Sequence, residues 1–209
     1  MKQNNFSDQY LLKAKKISNI LGNIPFIKLI AVTGSVASRL ARDDSDIDLF
    51  IIAKNKRIWT TRFFLVLALK FLGQYRSGNK INQKAGKICP NRYVTDEYLL
   101  INPQNQYHAK EYSQIIPIYT EEFTYNNFFH KNAWMKKYCF NRVYKIQKNA
   151  ISSIKIFTEW VLSGFLGNIF ETLFKKIQLK SIMKDSRVNK PNSGLFVSDD
   201  ELRFHPNPR

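Results

Sequence analysis

The chain has 209 residues, of which 44% are hydrophobic, and a formal net charge of +17. This composition fits a globular protein with a hydrophobic core. The two cysteines, Cys89 and Cys139, lack metal-ligand spacing, and we expect them to be free thiols rather than part of a disulfide framework. No stretch approaches the roughly 18 apolar residues of a membrane span, and the first residues lack an apolar signal core, so a soluble cytoplasmic protein is expected.

The first half of the chain is predicted to alternate helices and strands. Apolar spacing favours a helix over residues 6–21, a strand follows over 26–33, and a short helix over about 36–41 starts from Gly34-Ser35. A second strand is predicted over 46–53, an apolar helix over 57–73 and a third strand over 86–95. Because proline cannot donate a ladder hydrogen bond, we expect the third strand to be edge-like or kinked at Pro90.

The second half is predicted to be mainly helical, with helices over 107–116, 124–138 and 150–183, the last broken near Gly164 and Gly167. One short strand-like piece, LFVS, lies in a turn-rich tail. The predicted fold class is α/β (α+β), with a small mixed sheet flanked by helices and a C-terminal helical region. We divide the chain into a folded core over residues 1–105, which contains the motif at 32–52, and a helical region over residues 106–209. The tail of the helical region, which contains His205, is expected either to be ordered or to dock back onto the active site.

One motif carries chemistry. Val32 and Gly34-Ser35 are followed by a ten-residue spacer and then by Asp46-Ile47-Asp48-Leu49. Residues i and i+2 of a strand share one face, so Asp46 and Asp48 should project side by side while their neighbours point into a core. Two adjacent carboxylates favour a cation such as Mg²⁺ between them. A glycine at a helix start lets backbone N–H groups approach a phosphate. The alternative is a turn followed by an edge strand with two exposed aspartates.

This arrangement resembles the DNA polymerase β-like nucleotidyltransferase superfamily, over about residues 26–95 and most strongly over 31–52. The resemblance implies that Asp46 and Asp48 are catalytic and bind metal, with two Mg²⁺ ions. It also implies that Gly34 and Ser35 hold the β- and γ-phosphates of an NTP substrate. The implied reaction moves a nucleoside monophosphate from the NTP to an acceptor hydroxyl and releases pyrophosphate. Neither the acceptor nor the base of the nucleotide is predicted.

The superfamily also supplies a third carboxylate from a later strand, whereas the strand predicted over 86–95 contains no acid. Asp96 and Glu97 lie just past it and are candidates for the third acid, although acids are also favoured at a helix N-terminus. Glu111 is a further candidate that could fold back into the site, the alternative being a helix-packing role.

Two other functions stay open. Without a third acid, the protein would be a catalytically weak or inactive nucleotide-binding module. The charge of +17 would also suit a basic nucleic-acid-binding protein that retains the fold. The alternative explanation for the charge is a lysine-rich composition of the kind that AT-rich codons produce.

Overall fold

A six-stranded mixed sheet organises the protein. The computed structural model describes residues 5–76, 85–121, 123–139, 144, 149, 151–185, 188 and 194–204, and the predicted docking of the tail at His205 lies outside them. The strands are β1 (Ile27–Val32), β2 (Ile47–Ala53), β3 (Ile88–Thr95), β4 (Ile116–Thr120), β5 (Phe196–Val197) and β6 (Glu201–Arg203). Their order is β4-β1-β2-β3-β6-β5, with β2 and β3 parallel and the other neighbours antiparallel. The predicted fold class is confirmed.

Helices cover both faces of this sheet. They are α1 (Asn5–Leu21), α2 (Gly34–Ala37), α3 (Ile58–Phe71), α4 (Gln106–Tyr112), α5 (Thr124–Lys131), a 3₁₀ helix (Ala133–Lys137), α6 (Ser153–Ser163) and α7 (Phe165–Ile182). The predicted break in the last helical stretch is confirmed at Gly164. Gly167 is required there because a Cβ atom would lie 1.6 Å from the carbonyl oxygen of Leu162 in α6. Among the residues that the structure describes, no helix is long and apolar enough to cross a bilayer.

The alternation of side chains along β2 divides the apolar core in two. Ile47, Leu49 and Ile51 join a cluster with residues of α1, α3 and α7. Phe50 and Ile52 point the other way and pack with residues of α4 and α5. Asp48 shares the face of Phe50 and Ile52, because side chains two residues apart lie on one side of a strand. The α4–α5 side of the sheet is therefore the side that carries this carboxylate.

Strands β4 and β6 correct the predicted element boundaries. The predicted helix over 107–116 ends at Tyr112, and Ile116 begins β4, which pairs with β1. The sequence did not predict this strand because it contains Pro117, which argues against a strand. Proline is tolerated here because β4 is at the edge of the sheet. Strand β6 pairs with β3, so β3 is not an edge strand from Arg92 to Val94. The sheet thus continues across residue 105, and the domain division proposed there stays a prediction.

Candidate active site

Strand β2 brings two carboxylates together at its first residues. Asp48 is the second residue of β2, and Asp46 immediately precedes the strand. One ligand atom each from Asp46, Asp48 and Cys89 lies within 4.8 Å of the other two. Cys89 reaches the pair because β3 runs parallel to β2 in a register that sets Cys89 beside Asp48. We call these three residues the acid cluster.

Gly34 lies directly against this cluster. Its φ of +64° is in the left-handed region, and a Cβ atom at this position would lie 2.6 Å from Asp48 Oδ2. The preceding residue, Thr33, fixes the turn to β2 because its backbone N–H donates to the Asp48 carbonyl at 2.9 Å. The glycine is therefore required both by backbone conformation and by the close approach of the carboxylate. Ser35 follows it in α2. Gly34 is thus the residue of the predicted phosphate loop that the structure sets against the acid cluster.

Arg76 binds the acid cluster from the segment that follows α3. Its Nη1 lies 2.8 Å from Asp46 Oδ2 and donates to Cys89 Sγ at 3.3 Å. The backbone N–H of Arg76 donates to the carbonyl of Ile88, which holds the segment against β3. No sequence motif points to this arginine, since it reaches Asp46 only through the pairing of its segment with β3.

A register shift in β3 aims an amide at Asp48. Leu49 pairs with Pro90 and Phe50 pairs with Arg92, so Asn91 is an extra residue on β3. Its Nδ2 donates to Asp48 Oδ1 at 3.0 Å. The kink predicted at Pro90 therefore has a chemical consequence, because it turns the Asn91 side chain towards the acid cluster.

The third member of the acid cluster is a thiol, that of Cys89, and not a third carboxylate. Burial raises the pKa of Cys89 to about 12, and the negative charge of Asp48 acts in the same direction. The nearby Arg76 guanidinium opposes this shift without cancelling it. The thiol is consequently protonated at neutral pH and does not add a third negative charge to the acid cluster.

The structure corrects the expectation that Asp96 or Glu97 supplies a third acid. The backbone N–H of Asp96 donates to the carbonyl of Ala53, at the far end of β2. Ala53 is five positions along β2 from Asp48, a distance of roughly 17 Å at the usual rise of an extended chain. Both acids instead bind Asn55, whose backbone N–H donates to Asp96 and whose side-chain amide donates to Glu97. Neither can share a metal ion with the acid cluster.

Glu111 lies on the side of the sheet that carries Asp48. It is half-buried on α4, which packs over Phe50 through Tyr112. Burial raises the pKa of the neighbouring Tyr107 to about 12, and the charges of Glu111 and Asp48 contribute in that order. Tyr107 is therefore within electrostatic reach of both carboxylates. As a candidate for the third carboxylate, Glu111 therefore lies closer to the acid cluster than Asp96 or Glu97 does.

A cavity of about 240 Å³ opens beside Cys89 and offers room for part of a substrate next to the acid cluster. Its polar and aromatic lining combines two arginines, one acid and two aromatic rings: Arg62, Arg76, Asp185, Tyr75 and Phe204. Arg62 stacks over the ring of Phe204 at 4.7 Å, so α3 and the segment after β6 meet at this cavity.

One family model matches the first part of the chain. Residues 15–88 match the family model described as "Polymerase beta, Nucleotidyltransferase". This segment is therefore similar to polymerase β-type nucleotidyltransferase domains. The matched residues include Gly34, Ser35, Asp46 and Asp48, and the match ends one residue before Cys89.

A solved structure described as "Crystal structure of the toxin-antitoxin with AMP-PNP" is also similar to the chain. The likeness has 17% sequence identity and a TM-score of 0.31, and it covers 60% of this chain and 86% of that chain. A likeness at this level says nothing about function. No curated protein matches the chain.

Proposed function

We propose that this protein is a metal-dependent nucleotidyltransferase that moves a nucleoside monophosphate from an NTP to an acceptor hydroxyl. The observation that carries the proposal is the contact between Gly34 and Asp48. It sets a helix start with a glycine backbone against paired carboxylates, so phosphates held by Gly34 and Ser35 would adjoin a cation held by Asp46 and Asp48. The nucleotidyltransferase family match over residues 15–88 agrees with it.

The proposed reaction replaces the phosphoanhydride bond between the α- and β-phosphates with a phosphate ester bond to the acceptor. The acceptor oxygen forms a bond to the α-phosphorus, and the bond from that phosphorus to the oxygen bridging to the β-phosphate breaks. Pyrophosphate leaves with the electron pair, and the acceptor proton is lost to solvent. A bound Mg²⁺ lowers the cost of negative charge on the attacking and leaving oxygens. The role of the chain is to position the triphosphate at Gly34 and Ser35 and to hold the cation at the carboxylates.

The residues present fit one Mg²⁺ better than two. Asp46 and Asp48 offer the oxygen ligands that Mg²⁺ prefers, whereas the third member of the acid cluster offers sulfur, which suits softer metals. Arg76 and Asn91 bind one oxygen of each carboxylate, so a cation would compete with them or use the remaining oxygens. We therefore propose that the first ion binds at the carboxylates and that a second ion depends on the substrate phosphates for most of its ligands.

Transfer of label from the α-position of an NTP tests this function. The full chain is incubated with Mg²⁺ and NTPs labelled at the α- or γ-phosphate, with cell extract as the source of acceptor. We expect a labelled product only from the α-labelled NTP, and Asp46→Asn and Asp48→Asn should each reduce labelling by roughly 100-fold, as the loss of a group that stabilises transition-state charge does. Glu97→Gln should label as the unaltered protein does.

A second function is favoured by the contact between Arg76 and Asp46. An arginine at 2.8 Å neutralises one member of the carboxylate pair, and no third carboxylate belongs to the acid cluster in the described part of the chain. The protein would then bind a nucleotide with little or no catalysis. Calorimetry shows the difference, since this function gives NTP binding that is weakened in Asp48→Asn without release of pyrophosphate.

A further inference from the structure

Helix α6 attaches to the domain through polar side chains. Lys155 is fully buried, and its Nζ lies 2.7 Å from Glu121 Oε1 and 2.9 Å from the hydroxyl of Tyr119. One turn further, Glu159 accepts a hydrogen bond of 2.6 Å from the backbone N–H of Phe26, just before β1. The face of α6 that meets the domain is therefore charged, which is the reverse of an ordinary surface helix.

Helix α7 also attaches to the domain through polar side chains, together with one aromatic ring. Glu171 accepts hydrogen bonds of 2.9 Å from the backbone N–H groups of Trp59 and Thr60, which are in the first turn of α3. Gln178 donates to the carbonyl of Trp59 at 2.8 Å. Phe174 lies between them and packs against the rings of α3. Glu159 of α6 and Glu171 of α7 thus both accept hydrogen bonds from the domain.

The opposite side of the two helices is apolar and exposed. On α6 it consists of Ile154, Ile156, Phe157 and Trp160, and on α7 of Phe165, Leu166, Ile169, Leu173 and Ile177. We call these nine residues the outer face.

The outer face is too large to be ordinary surface. Phe165 is 78% exposed and Trp160 is 75% exposed. With about 200 Å² for each fully exposed large side chain, the nine residues present on the order of 1,000 Å². The largest apolar patch of a typical monomer is only about 300–600 Å². The face is also continuous, because Phe165, Ile169, Leu173 and Ile177 recur every four residues along one side of α7.

The charges next to the outer face are positive. Lys180 lies three residues after Ile177 and continues its stripe, and Lys184 follows just after the end of α7. Both lysines are exposed. Lys176 is exposed on the same turn as Ile177. Glu159 and Glu171 point to the domain instead, and Lys175 is paired with Asp199 at 2.7 Å. An apolar face bordered by lysines suits an anionic partner, whereas a second copy would bring another net charge of +17 to it.

We propose that the outer face binds the surface of an anionic lipid bilayer. The indole of Trp160 and the ring of Phe157 would enter the boundary between headgroups and acyl chains, where amphipathic aromatic residues are favoured. Lys176, Lys180 and Lys184 would reach the lipid phosphates with their ammonium groups while their methylene chains stay against the apolar face. The two helices lie along the surface in this arrangement, and the polar contacts of their inner side keep them attached to the domain.

The part of the proposed membrane contact on α6 is separate from the acid cluster. Helix α6 meets the sheet at Phe26, whose carbonyl accepts from Lys54 just after β2 ends. Asp46 and Asp48 are at the other end of β2. Lipid binding by α6 therefore takes place at the end of the sheet away from the acid cluster, and it does not depend on whether the domain is catalytic.

Vesicle flotation tests the proposal with the full chain. The vesicles are phosphatidylcholine alone or phosphatidylcholine mixed with phosphatidylglycerol. We expect the protein to float with the mixed vesicles and to lose most of this binding at high salt, since surface charge is screened. The double variant Phe157→Ser/Trp160→Ser should bind at least about tenfold less, as expected from the lost apolar burial. Leu12→Ser is the matched control, because Leu12 is an exposed apolar residue on α1, and it should float as the unaltered chain does.

A second variant and a second measurement decide the remaining outcomes. Lys180→Gln/Lys184→Gln changes only exposed side chains and should weaken binding to the mixed vesicles several-fold. Light scattering reports whether the chain self-associates. Equal flotation with both kinds of vesicle, no flotation with either, or full binding by both double variants would overturn the proposal. A dimer that Phe157→Ser/Trp160→Ser dissociates, without vesicle binding, would assign the outer face to a second copy instead.

Discussion

At the scale of single residues, Gly34 sets the distance between the phosphate loop and the carboxylates. Its left-handed φ and the 2.6 Å that would separate a Cβ atom from Asp48 Oδ2 are independent constraints on the same position. A side chain here would either push Asp48 away from Asp46 or move the loop. Because Gly34 has no side chain, the phosphate loop can lie directly against the acid cluster.

Gly34→Ala should therefore reduce nucleotide binding and transfer more than its effect on stability explains. The left-handed conformation costs about 1–2 kcal/mol for a residue with a Cβ atom, and we expect that loss in the free energy of unfolding. Gly73→Ala is a matched control, because Gly73 has φ +63° and no atom lies within 4 Å of the position that a Cβ atom would take there. Gly34→Ala should lose at least as much stability as Gly73→Ala in urea titrations, because it adds the contact with Asp48 to the same backbone cost, and only Gly34→Ala should weaken NTP binding. Equal binding by both would contradict the steric argument.

Cys89 offers a second test at the same scale. Cys89→Asp would place a third carboxylate within the acid cluster, where three negative charges repel without a cation. We expect the Tm to fall in EDTA and to recover in Mg²⁺, whereas Cys89→Ser should show no larger Mg²⁺ effect than the unaltered chain. Thermal unfolding with and without Mg²⁺ measures this independently of activity. A Cys89→Asp protein that is insensitive to Mg²⁺ would show that no ion binds at the cluster.

At the scale of elements, Glu121 connects three parts of the fold. It follows β4, its Oε2 lies 2.6 Å from Lys28 Nζ of β1, and its Oε1 lies 2.7 Å from Lys155 Nζ of α6. Burial disfavours its ionised form, but the hydrogen bonds from Lys155 and Lys28 outweigh that effect and hold the pKa of Glu121 below its usual value. The contact of Lys155 with β1 and β4 consequently depends on the ionised carboxylate of Glu121.

The stability contributed by Glu121 should depend on pH in a defined direction. Because its pKa is lower in the folded protein, this contribution is complete above the unfolded pKa of about 4.5 and is lost as the pH falls through the folded pKa. Glu121→Gln should be destabilised at pH 7, since Lys155 is left buried without its anion. The difference in free energy of unfolding between the two proteins should shrink as the pH falls below about 4.5. A difference that is constant with pH would contradict this assignment.

The sequence predicted the elements whose signals are local. β1, α2 and β2 follow from apolar strands around a Gly-Ser turn and two acids at positions i and i+2, and those same signals bring Asp46 and Asp48 together. Arg76 and Asn91 were missed because both reach the cluster through the pairing and register of β3, which no single segment encodes. The third acid was misplaced because the sequence shows where strand β3 ends but not which end lies beside Asp48. Strand β4 was missed because it is short and contains Pro117.

At the scale of the whole molecule, the sheet combines residues from both halves of the chain. β4 covers β1 and β6 covers β3, so a protein that ended at residue 105 would expose the edges of both strands.

The net charge of +17 is also a property of the whole molecule, and nucleic-acid binding remains a prediction from it. A mobility-shift assay over a range of salt concentrations checks this prediction, because phosphate contacts weaken steeply with salt.

A fragment of residues 1–105 should not fold as a stable unit. It lacks the partners of β1 and β3 as well as the contacts of α7 with α3, and unpaired strand edges promote aggregation. Circular dichroism and urea unfolding of the fragment, with the full chain as the control, measure this directly. A cooperative transition in the fragment would support the division of the chain at residue 105.

The pairing of β3 with β6 has a consequence for how the protein is made. Arg92 is opposite Arg203, so more than a hundred residues are synthesised between the two partners. Contacts between such distant residues form late and slow the rate of folding, because the intervening chain must lose conformational freedom first. During translation β1, β2 and β3 emerge long before β6 can close the sheet. The nascent chain therefore spends much of its synthesis with β3 uncovered, and an early encounter with a chaperone would act at that strand.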